Sequence, residues 1–374
     1  MLHKTYGSST ADRTIHCNGW VNQSQGMPNI ESEYALRGTI IHAMLEAKGL
    51  NNSYNFKAHL GEELEGGIIE EDHVASATEC WRALNEVFKE YGVTEYEPEC
   101  TTSVPNTDDI GGTLDMIAAG KNRSLLIDYK AGEGILVDPY KNSQLLFATW
   151  SGLLQSAAKD ILEAHDEFTG VIIQPSDRAP TVKTWDFTIA DVIEFEKVYV
   201  RAVAKSRKPD AKLKAGSWCR FCPAHATCPE KTGMILRARL LDLDELAQLA
   251  EGLSMVADIK LWINAVESAA YNQLEAGAEL DGWKRVKKRP VKVWKSEAEA
   301  KKLLTKPLGL KALTKTKFIT PAQAEDALRK KQVKLDVEPY YKKISSGYTI
   351  AKESDKRKAV LSVDAMRAAL NSIV

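Results

Sequence analysis

Residues 111–115 read GGTLD and residues 125–130 read LLIDYK, and these two apolar runs decide the fold. The second run is rich in Leu and Ile and predicts a buried strand, and the first run predicts a strand beside it. Because side chains alternate along a strand, Asp128 and Lys130 should share one face. Pairing of the two strands would bring Asp115 to the same sheet edge. Buried charged groups are costly unless they bind a metal ion or one another, so the sequence predicts a functional cluster at this edge.

The chemistry that fits this cluster is metal-assisted hydrolysis of a phosphodiester bond. Two carboxylates offer the hard oxygen ligands of Mg²⁺ or Mn²⁺, and such an ion activates water and stabilises the transition state. A lysine beside the ion can offset the negative charge that develops. An isolated Asp-x-Lys triplet is otherwise an ordinary surface ion pair of little energetic value. Asp115 followed by Asp128-x-Lys130 resembles the core of the PD-(D/E)XK nucleases, which implies that the two aspartates bind the metal ion and that Lys130 is catalytic.

An amphipathic helix is predicted over residues 31–48, where apolar residues recur at helical spacing. Within it, residues 37–46 read RGTIIHAMLE, which places His42 and Glu46 on one face of the helix. A half-buried histidine with a carboxylate partner would explain this pair without a catalytic role. The segment also resembles the first motif of RecB-like nucleases. That resemblance implies that His42 is a third metal ligand, with Glu46 as its supporting partner.

The order of the remaining N-terminal elements predicts an α/β fold. Further helices are predicted over residues 71–91, 138–162 and 191–208, and further strands over residues 96–104 and 168–174. This order is that of a restriction-endonuclease-like core with a mixed sheet flanked by helices, the fold that the PD-(D/E)XK resemblance implies. Glu97 and Glu99 share one face of their predicted strand and could support the site, although a solvated sheet edge is the simpler interpretation of both.

Gln144 lies in the predicted helix that follows Lys130. RecB-like families carry a glutamine near this place, with a tyrosine four positions later. In this sequence position 148 is an alanine, with Phe147 beside it. The resemblance therefore implies a catalytic role for Gln144, while a contact with DNA from position 148 lacks its usual side chain.

The composition is that of a soluble globular protein, with 44% hydrophobic and 27% charged residues among 374. The length allows one large domain or two of ordinary size. No apolar run approaches the length of a transmembrane helix and no signal peptide is visible. We therefore expect a cytoplasmic location in a bacterial cell, with a phage gene as an alternative source, and no membrane partner. The net charge of −1 excludes binding to nucleic acid through overall charge, so any such binding must come from local clusters.

Six cysteines in an intracellular chain argue for metal binding or catalysis rather than for a disulfide framework. Residues 218–229 read WCRFCPAHATCP, so Cys219, Cys222 and Cys228 are spaced closely enough to face a single centre. Three thiolates leave a tetrahedral zinc site or an iron–sulfur cubane one ligand short. Cys17, distant in sequence, can supply the fourth ligand.

One N-terminal cysteine with three cysteines beyond the core resembles the iron–sulfur nucleases, namely the AddB nuclease domain and the CRISPR-associated RecB-like exonucleases. The resemblance implies a [4Fe–4S] cluster on Cys17, Cys219, Cys222 and Cys228 that joins the N-terminal segment to the end of the nuclease domain. Spacing alone does not separate this cluster from a structural Zn²⁺, for which His225 is a competing fourth ligand.

The C-terminal third combines a helical pattern with a concentrated basic segment. Apolar residues at helical spacing over residues 240–276 predict one or two long helices with a buried stripe. Residues 282–295 read GWKRVKKRPVKVWK, which predicts a hairpin that turns at Arg289-Pro290. Lysines beside tryptophans suit a nucleic-acid surface, although an amphipathic hairpin packed on the core explains the pattern equally well. The candidate DNA-binding residues are Lys284, Arg285, Lys287, Lys288 and Lys292.

Together these patterns predict a PD-(D/E)XK nuclease domain over residues 1–235 and a mostly helical region over residues 236–374. The predicted activity is that of a metal-dependent DNA exonuclease that acts on ends or single strands. An endonuclease of the same fold and a non-catalytic DNA-binding protein are the alternatives. The predicted catalytic residues are Asp115, Asp128, Lys130 and Gln144, and the predicted metal ligands are His42, Asp115 and Asp128.

The order of elements, including the C-terminal extension, also resembles exonucleases that phages and prophages encode beside replication and recombination genes. This resemblance implies a role in those processes. It also implies a single-strand-binding or annealing protein as a partner.

Overall fold

The computed structural model describes residues 4–27, 33–131, 136–176, 181–309, 319–345 and 347–360. The chain divides into two compact units, Met1–Ile259 and Lys260–Val374. Compactness alone does not test where a nuclease domain ends, so the boundary after residue 235 stays a prediction. None of the helices in the described part of the chain is both long enough and apolar enough to cross a membrane.

The first unit is built on a five-stranded mixed sheet. Its strand order is β3-β4-β5-β6-β7, and β5 pairs antiparallel with β4 and parallel with β6. All six residues of β5 are buried, as its apolar run predicts. The prediction of a mixed sheet flanked by helices is confirmed. The strands of this sheet are β3 (Glu95–Ser103), β4 (Gly111–Ala119), β5 (Ser124–Tyr129), β6 (Glu167–Ile173) and β7 (Val182–Thr188), and a small separate pair is formed by β1 (Glu63–Leu64) and β2 (Gly67–Ile68).

Helices cover both faces of this sheet. One apolar core includes Phe147 and Tyr199, whose rings meet edge to face at 5.2 Å. The core of the other face includes Ile41, Leu84 and Ile127. These faces bury the apolar stripes that the sequence pattern indicates. The helices of this unit are α1 (Ala11–His16), α2 (Trp20–Ser24), α3 (Glu33–Leu50), α4 (Glu71–Tyr91), α5 (Ser143–Leu154), α6 (Lys159–Glu163), α7 (Ile189–Ser206) and α8 (Pro229–Arg239), followed by α9 (Leu246–Glu275), which runs into the second unit.

The helix predicted to begin at Asp138 begins later, at Ser143, and ends at Leu154. Its N-cap is Asn142, whose side-chain oxygen accepts hydrogen bonds from the amides of Gln144 and Leu145. The Asp138 side chain instead accepts from the amide of Tyr140 within a turn. Asn142 is therefore the residue that satisfies the first amides of α5, and its position determines where Gln144 lies.

The second unit combines helices with two small sheets. Here β8 pairs with β11 and β9 pairs with β10, so the prediction that β8 and β9 form a hairpin is wrong. At the end of β8 the amide of Lys288 donates to the carbonyl of Gly347, on the connection that precedes β11. Two residues later comes Pro290, which has no N–H and so cannot donate a backbone hydrogen bond between β8 and β9 in a hairpin. The elements are β8 (Trp283–Lys287), β9 (Val291–Trp294), α10 (Glu297–Leu308), the helix Pro321–Lys330, β10 (Tyr341–Ile344) and β11 (Tyr348–Lys352).

The apolar stripe of α9 differs from the prediction that it is buried. All residues of α9 are described, and none of its side chains is buried. Leu246 and Leu253 are 82% and 72% exposed. Helical spacing of apolar residues predicted the helix correctly, but it did not establish that another element covers the stripe.

Candidate active site and cysteine-lined site

The three polar residues of the two central strands meet as predicted. Asp115 lies in the middle of β4, Asp128 lies near the end of β5, and Lys130 directly follows that strand. The register pairs Met116 with Ile127, so the preceding and following residues, Asp115 and Asp128, are neighbours across the strand pair. The Asp115 carboxylate accepts a hydrogen bond from the amide of Tyr129, and Lys130 Nζ lies 2.7 Å from Asp128 Oδ2.

Gln144, at the start of α5, joins the last two of these residues. Its Nε2 donates to Asp128 Oδ1 over 2.8 Å, and its Oε1 accepts from Lys130 Nζ over 3.0 Å. The Asp128 side chain is 3% exposed and that of Lys130 is 25% exposed. The glutamine therefore completes a small closed network in which the amide orients both the carboxylate and the ammonium group.

His42 brings the first sequence motif to the same place. Its Nδ1 lies 2.9 Å from Asp115 Oδ1. Helix α3 is held there by Arg37, which donates from Nε to Asp72 over 2.7 Å and from Nη2 to Ser76 over 2.8 Å, both on α4. Arg37 also donates to the carbonyl of Ala131, just beyond β5. The arginine of this motif thus fixes the helix that presents the histidine.

Glu99 lies in the site, although the sequence favoured a solvated sheet edge over a supporting role for it. Among the described residues, only His42, Glu99 and Asp115 bring three potential ligand atoms within 4.8 Å of one another. Burial, with the negative charges of Asp115 and Glu46, raises the pKa of Glu99 to about 7. Its backbone φ of +45° marks a local break in β3 opposite Asp115. Antiparallel pairing of the two strands flanking residues 104–110 would have brought Glu99 beside Asp115.

Burial and opposite charges shift the other groups of the site in different directions. Burial and the charge of Asp115 raise the pKa of Asp128, despite the nearby ammonium group of Lys130. Burial also tends to raise the pKa of Asp115, but the charges of His42 and Lys130 outweigh it and lower that pKa. Burial would lower the pKa of His42, but Asp115 raises it to about 9. Such opposed shifts within one cluster are typical of functional sites.

The four spaced cysteines line a single small cavity. Its walls include Cys17, Cys219, Cys222 and Cys228. None of these four cysteines is in a disulfide, and Cys17 Sγ accepts a hydrogen bond from the amide of Lys214 over 3.3 Å. Cys80 and Cys100 instead belong to the two apolar cores of the sheet. The structure therefore brings together the predicted set, including the member that is distant in sequence.

Cationic and imidazole groups surround these thiols. Arg13, His225 and Lys231 line the same cavity. The buried Arg13 donates to the carbonyl of Phe221 over 2.7 Å, and the buried Lys231 is ion-paired with Asp258. Burial, and secondarily Lys231, lower the pKa of His225 to about 4, so its imidazole is neutral at neutral pH. A neutral imidazole is a metal-binding form, so His225 remains available to a zinc ion.

A family model described as "Protein of unknown function (DUF2800)" matches residues 3–358. The chain belongs to the DUF2800 family. The match includes every residue of the active-site cluster and the cysteine set.

Three solved structures are similar to parts of this DUF2800 chain. SSO0001 is 12% identical, with a TM-score of 0.27, and the match covers 61% of this chain and 87% of the other. An alkaline exonuclease from Laribacter hongkongensis (LHK-Exo) is 12% identical, with a TM-score of 0.24 and coverages of 53% and 91%. A phage related exonuclease from Haemophilus somnus 129PT is 15% identical, with a TM-score of 0.22 and coverages of 55% and 93%.

The residues predicted to bind DNA occupy different environments in the second unit. Arg285 is 5% exposed, and its Nη1 donates to Glu275 over 2.7 Å. Lys292 is ion-paired with Glu325, and Lys284 Nζ lies 4.0 Å from Glu353. Arg285 is therefore buried and engaged in an ion pair in this DUF2800 chain. Lys287 and Lys288 are exposed at the end of β8.

Proposed function

We propose that this protein is a metal-dependent deoxyribonuclease that hydrolyses phosphodiester bonds, most simply as an exonuclease. The observation that carries the proposal is the meeting of His42, Asp115, Asp128, Lys130 and Gln144. These residues come from one helix, two adjacent strands and a second helix. An ordinary surface ion pair has no need of a second carboxylate, an imidazole and a bridging amide.

The donor set suits a divalent cation such as Mg²⁺ or Mn²⁺. Asp115, His42 and Glu99 would hold it, with Asp128 on the neighbouring strand, because carboxylate oxygens are the preferred ligands of these ions. Burial first, and then the negative charges of Asp115 and Glu46, raise the pKa of Glu99, and a bound cation would favour its charged form. When bound, it supplies a water of lowered pKa and a positive charge against the phosphate oxygens.

The other residues act by position and charge. Asp128 raises the pKa of Lys130 against the effect of burial, so its side chain stays positively charged at neutral pH. That charge lies beside the carboxylates, where it can stabilise the negative charge that develops during hydrolysis. Gln144 prevents the ammonium group from rotating away, because it binds the lysine and its carboxylate partner at once. We therefore assign metal binding to the carboxylates and His42. Lys130 is assigned the stabilisation of the negative charge that develops during hydrolysis.

The cysteine-lined cavity fits a thiolate-bound centre. Cys17, Cys219, Cys222 and Cys228 would hold a [4Fe–4S] cluster, with Zn²⁺ as the alternative. The centre would cross-link the N-terminal segment to the end of the core.

The activity can be tested directly with end-labelled single- and double-stranded DNA and Mn²⁺. We expect wild-type protein to release nucleotides, and Asp115→Asn and Asp128→Asn to be inactive while still binding DNA. Asp160→Asn, an exposed residue of α6, is a matched control that should keep full activity. A closed circular plasmid, which has no ends, should survive if the enzyme is an exonuclease. Wild-type rates in the Asp128 variant would overturn the assignment of the site.

The proposed biological setting is phage or prophage replication or recombination, with a single-strand-binding or annealing protein as partner. It rests on the order of motifs and on the C-terminal extension described above. Its test is co-purification of such a protein with the full chain from cells that carry the gene in its own operon. Absence of any nucleic-acid-processing partner there would contradict this setting without affecting the hydrolytic site.

A further inference from the structure

A basic cleft of about 570 Å³ lies in the second unit, formed where β8 ends and where the chain turns after β11. It belongs to neither the active site nor the cysteine-lined site. The residues that line it come from three separate segments of the chain. They are Lys287, Lys288, Arg289, Pro290, Ser345, Asp355, Lys356 and Arg357.

One wall of the cleft is rigidly built. Arg357 donates to both carboxylate oxygens of Asp355, from Nε and from Nη2, each over 2.9 Å. Its Nη1 donates to the carbonyl of Lys287 over 3.1 Å, which ties the turn to the end of β8. The Ser345 hydroxyl donates to the carbonyl of Lys288. Backbone from all three segments is thus fixed around the cleft, and the cationic side chains project from a defined frame.

The charge of the cleft is strongly unbalanced. Among the described residues that line it, five are Lys or Arg and one is an aspartate. That aspartate is held by Arg357 in a two-pronged ion pair, so it offsets the one cation that the frame already uses. Lys287, Arg289 and Lys356 are exposed. In a chain with a net charge of −1, this concentration produces a local positive potential.

We propose that this cleft binds the sugar–phosphate backbone of single-stranded DNA and is the nucleic-acid contact of the second unit. The proposal rests on the proposed nuclease function, and it replaces the set chosen from sequence by residues that the fold brings together. A backbone with one charge per nucleotide matches cations arranged around an open cleft. A contact of this kind carries no sequence information, as suits an enzyme that degrades DNA progressively.

The test compares two triple variants of the full chain in the Asp128→Asn background, which prevents loss of the probe. The cleft variant carries Lys287→Gln, Arg289→Gln and Lys356→Gln. The control variant carries Lys301→Gln, Lys302→Gln and Lys306→Gln, which removes the same charge from exposed positions of α10. Binding of fluorescent oligo-dT is measured by anisotropy over a range of salt concentrations, and thermal unfolding checks that both variants are folded.

We expect the cleft variant to bind on the order of 10-fold more weakly at low salt, with the slope of log affinity against log salt flattened by about two, or about 0.7 per lost contact. The control variant should shift the slope by less than about 0.7. Equal weakening by both variants, or unchanged binding by the cleft variant, would overturn the proposal.

Cleavage by the otherwise wild-type chain is scored separately. If the wild-type chain cuts DNA but the cleft variant binds DNA normally, the cleft proposal is wrong and the nuclease proposal stands. If binding depends on the cleft but the wild-type chain cuts no DNA, the nuclease proposal is wrong and the cleft proposal stands.

Discussion

Gln144→Leu is the most informative single substitution, because it removes both hydrogen bonds of the bridging amide while keeping nearly the same side-chain volume. Gln144 Nε2 donates to Asp128 Oδ1 over 2.8 Å, and Gln144 Oε1 accepts from Lys130 Nζ over 3.0 Å. Gln144 is not among the proposed metal ligands. We therefore treat Gln144 as a positioning residue. Its loss should leave the DNA contacts intact and disturb the carboxylate and the ammonium group together.

The expected magnitude follows from the exposure of its two partners. Lys130 is 25% exposed, so water can replace its lost acceptor, whereas Asp128 is 3% exposed and cannot readily gain a new donor. One unreplaced hydrogen bond to a charged group corresponds to about 1.5–3 kcal/mol. At about 1.36 kcal/mol per factor of ten, the expected loss is roughly 10- to 100-fold in kcat. Losses of about this size are usual when the partner of a metal-site residue is removed.

The assay is steady-state cleavage of a single-stranded oligonucleotide at saturating Mn²⁺. We expect kcat to fall and KM to stay within about threefold, because the lost interaction supports the transition state rather than DNA binding. Gln155→Leu, an exposed residue at the other end of the same helix, is the matched control and should behave as wild type. The reasoning fails if Gln144→Leu retains a wild-type kcat, or if the control is equally impaired.

Three further predictions concern the metal ion, the cysteines and the second unit. Mn²⁺ at about 100 times its Kd should stabilise the wild type by about 2.7 kcal/mol in thermal unfolding, and Glu99→Gln should lose most of that gain; an unchanged shift would exclude Glu99 as a ligand. Anaerobically purified protein should contain iron and sulfide in equal amounts, retained in Cys80→Ser and lost in Cys222→Ser; one zinc ion per chain would exclude the iron–sulfur assignment. Trp294 is 7% exposed and donates to the carbonyl of Ile319, so Trp294→Ala should cost about 3–5 kcal/mol in denaturant unfolding, whereas Trp283→Ala, at 42% exposure, should cost below about 1.

The parts of the fold that were predictable from sequence are those set by local periodicity. The buried run before Asp128 specifies a central strand, and strand alternation then puts Lys130 on the same face. The helix carrying His42 follows from apolar spacing in the same way. These local signals, together with the resemblance of the motifs, were enough to name most of the site.

The parts that could not be read from sequence depend on pairing between distant segments. Glu99 looked like an edge residue because its role arises only when β3 lies against β4. The basic segment looked like a hairpin because β8 and β9 are consecutive. Each strand instead pairs with residues 47 to 69 positions later, β8 with β11 and β9 with β10. Arg285, which the sequence suggested as a DNA-binding residue, is buried and forms an ion pair with Glu275. Single-sequence patterns report which face is apolar, and they do not report which element covers it.

The glycine pair at the start of β4 connects the two sites of the first unit. A side chain at Gly112 would lie 2.8 Å from the Ser8 hydroxyl, so only glycine lets the N-terminal segment cross so closely against the strand that carries Asp115. The same segment continues to Cys17, whose Sγ accepts a hydrogen bond from the amide of Lys214. The centre proposed on Cys17 would add ligand bonds to this contact between the N-terminal segment and the end of the core. Loss of the proposed centre should loosen the N-terminal segment first. The effect should then extend to the active site through β4, the strand that this segment contacts and that carries Asp115.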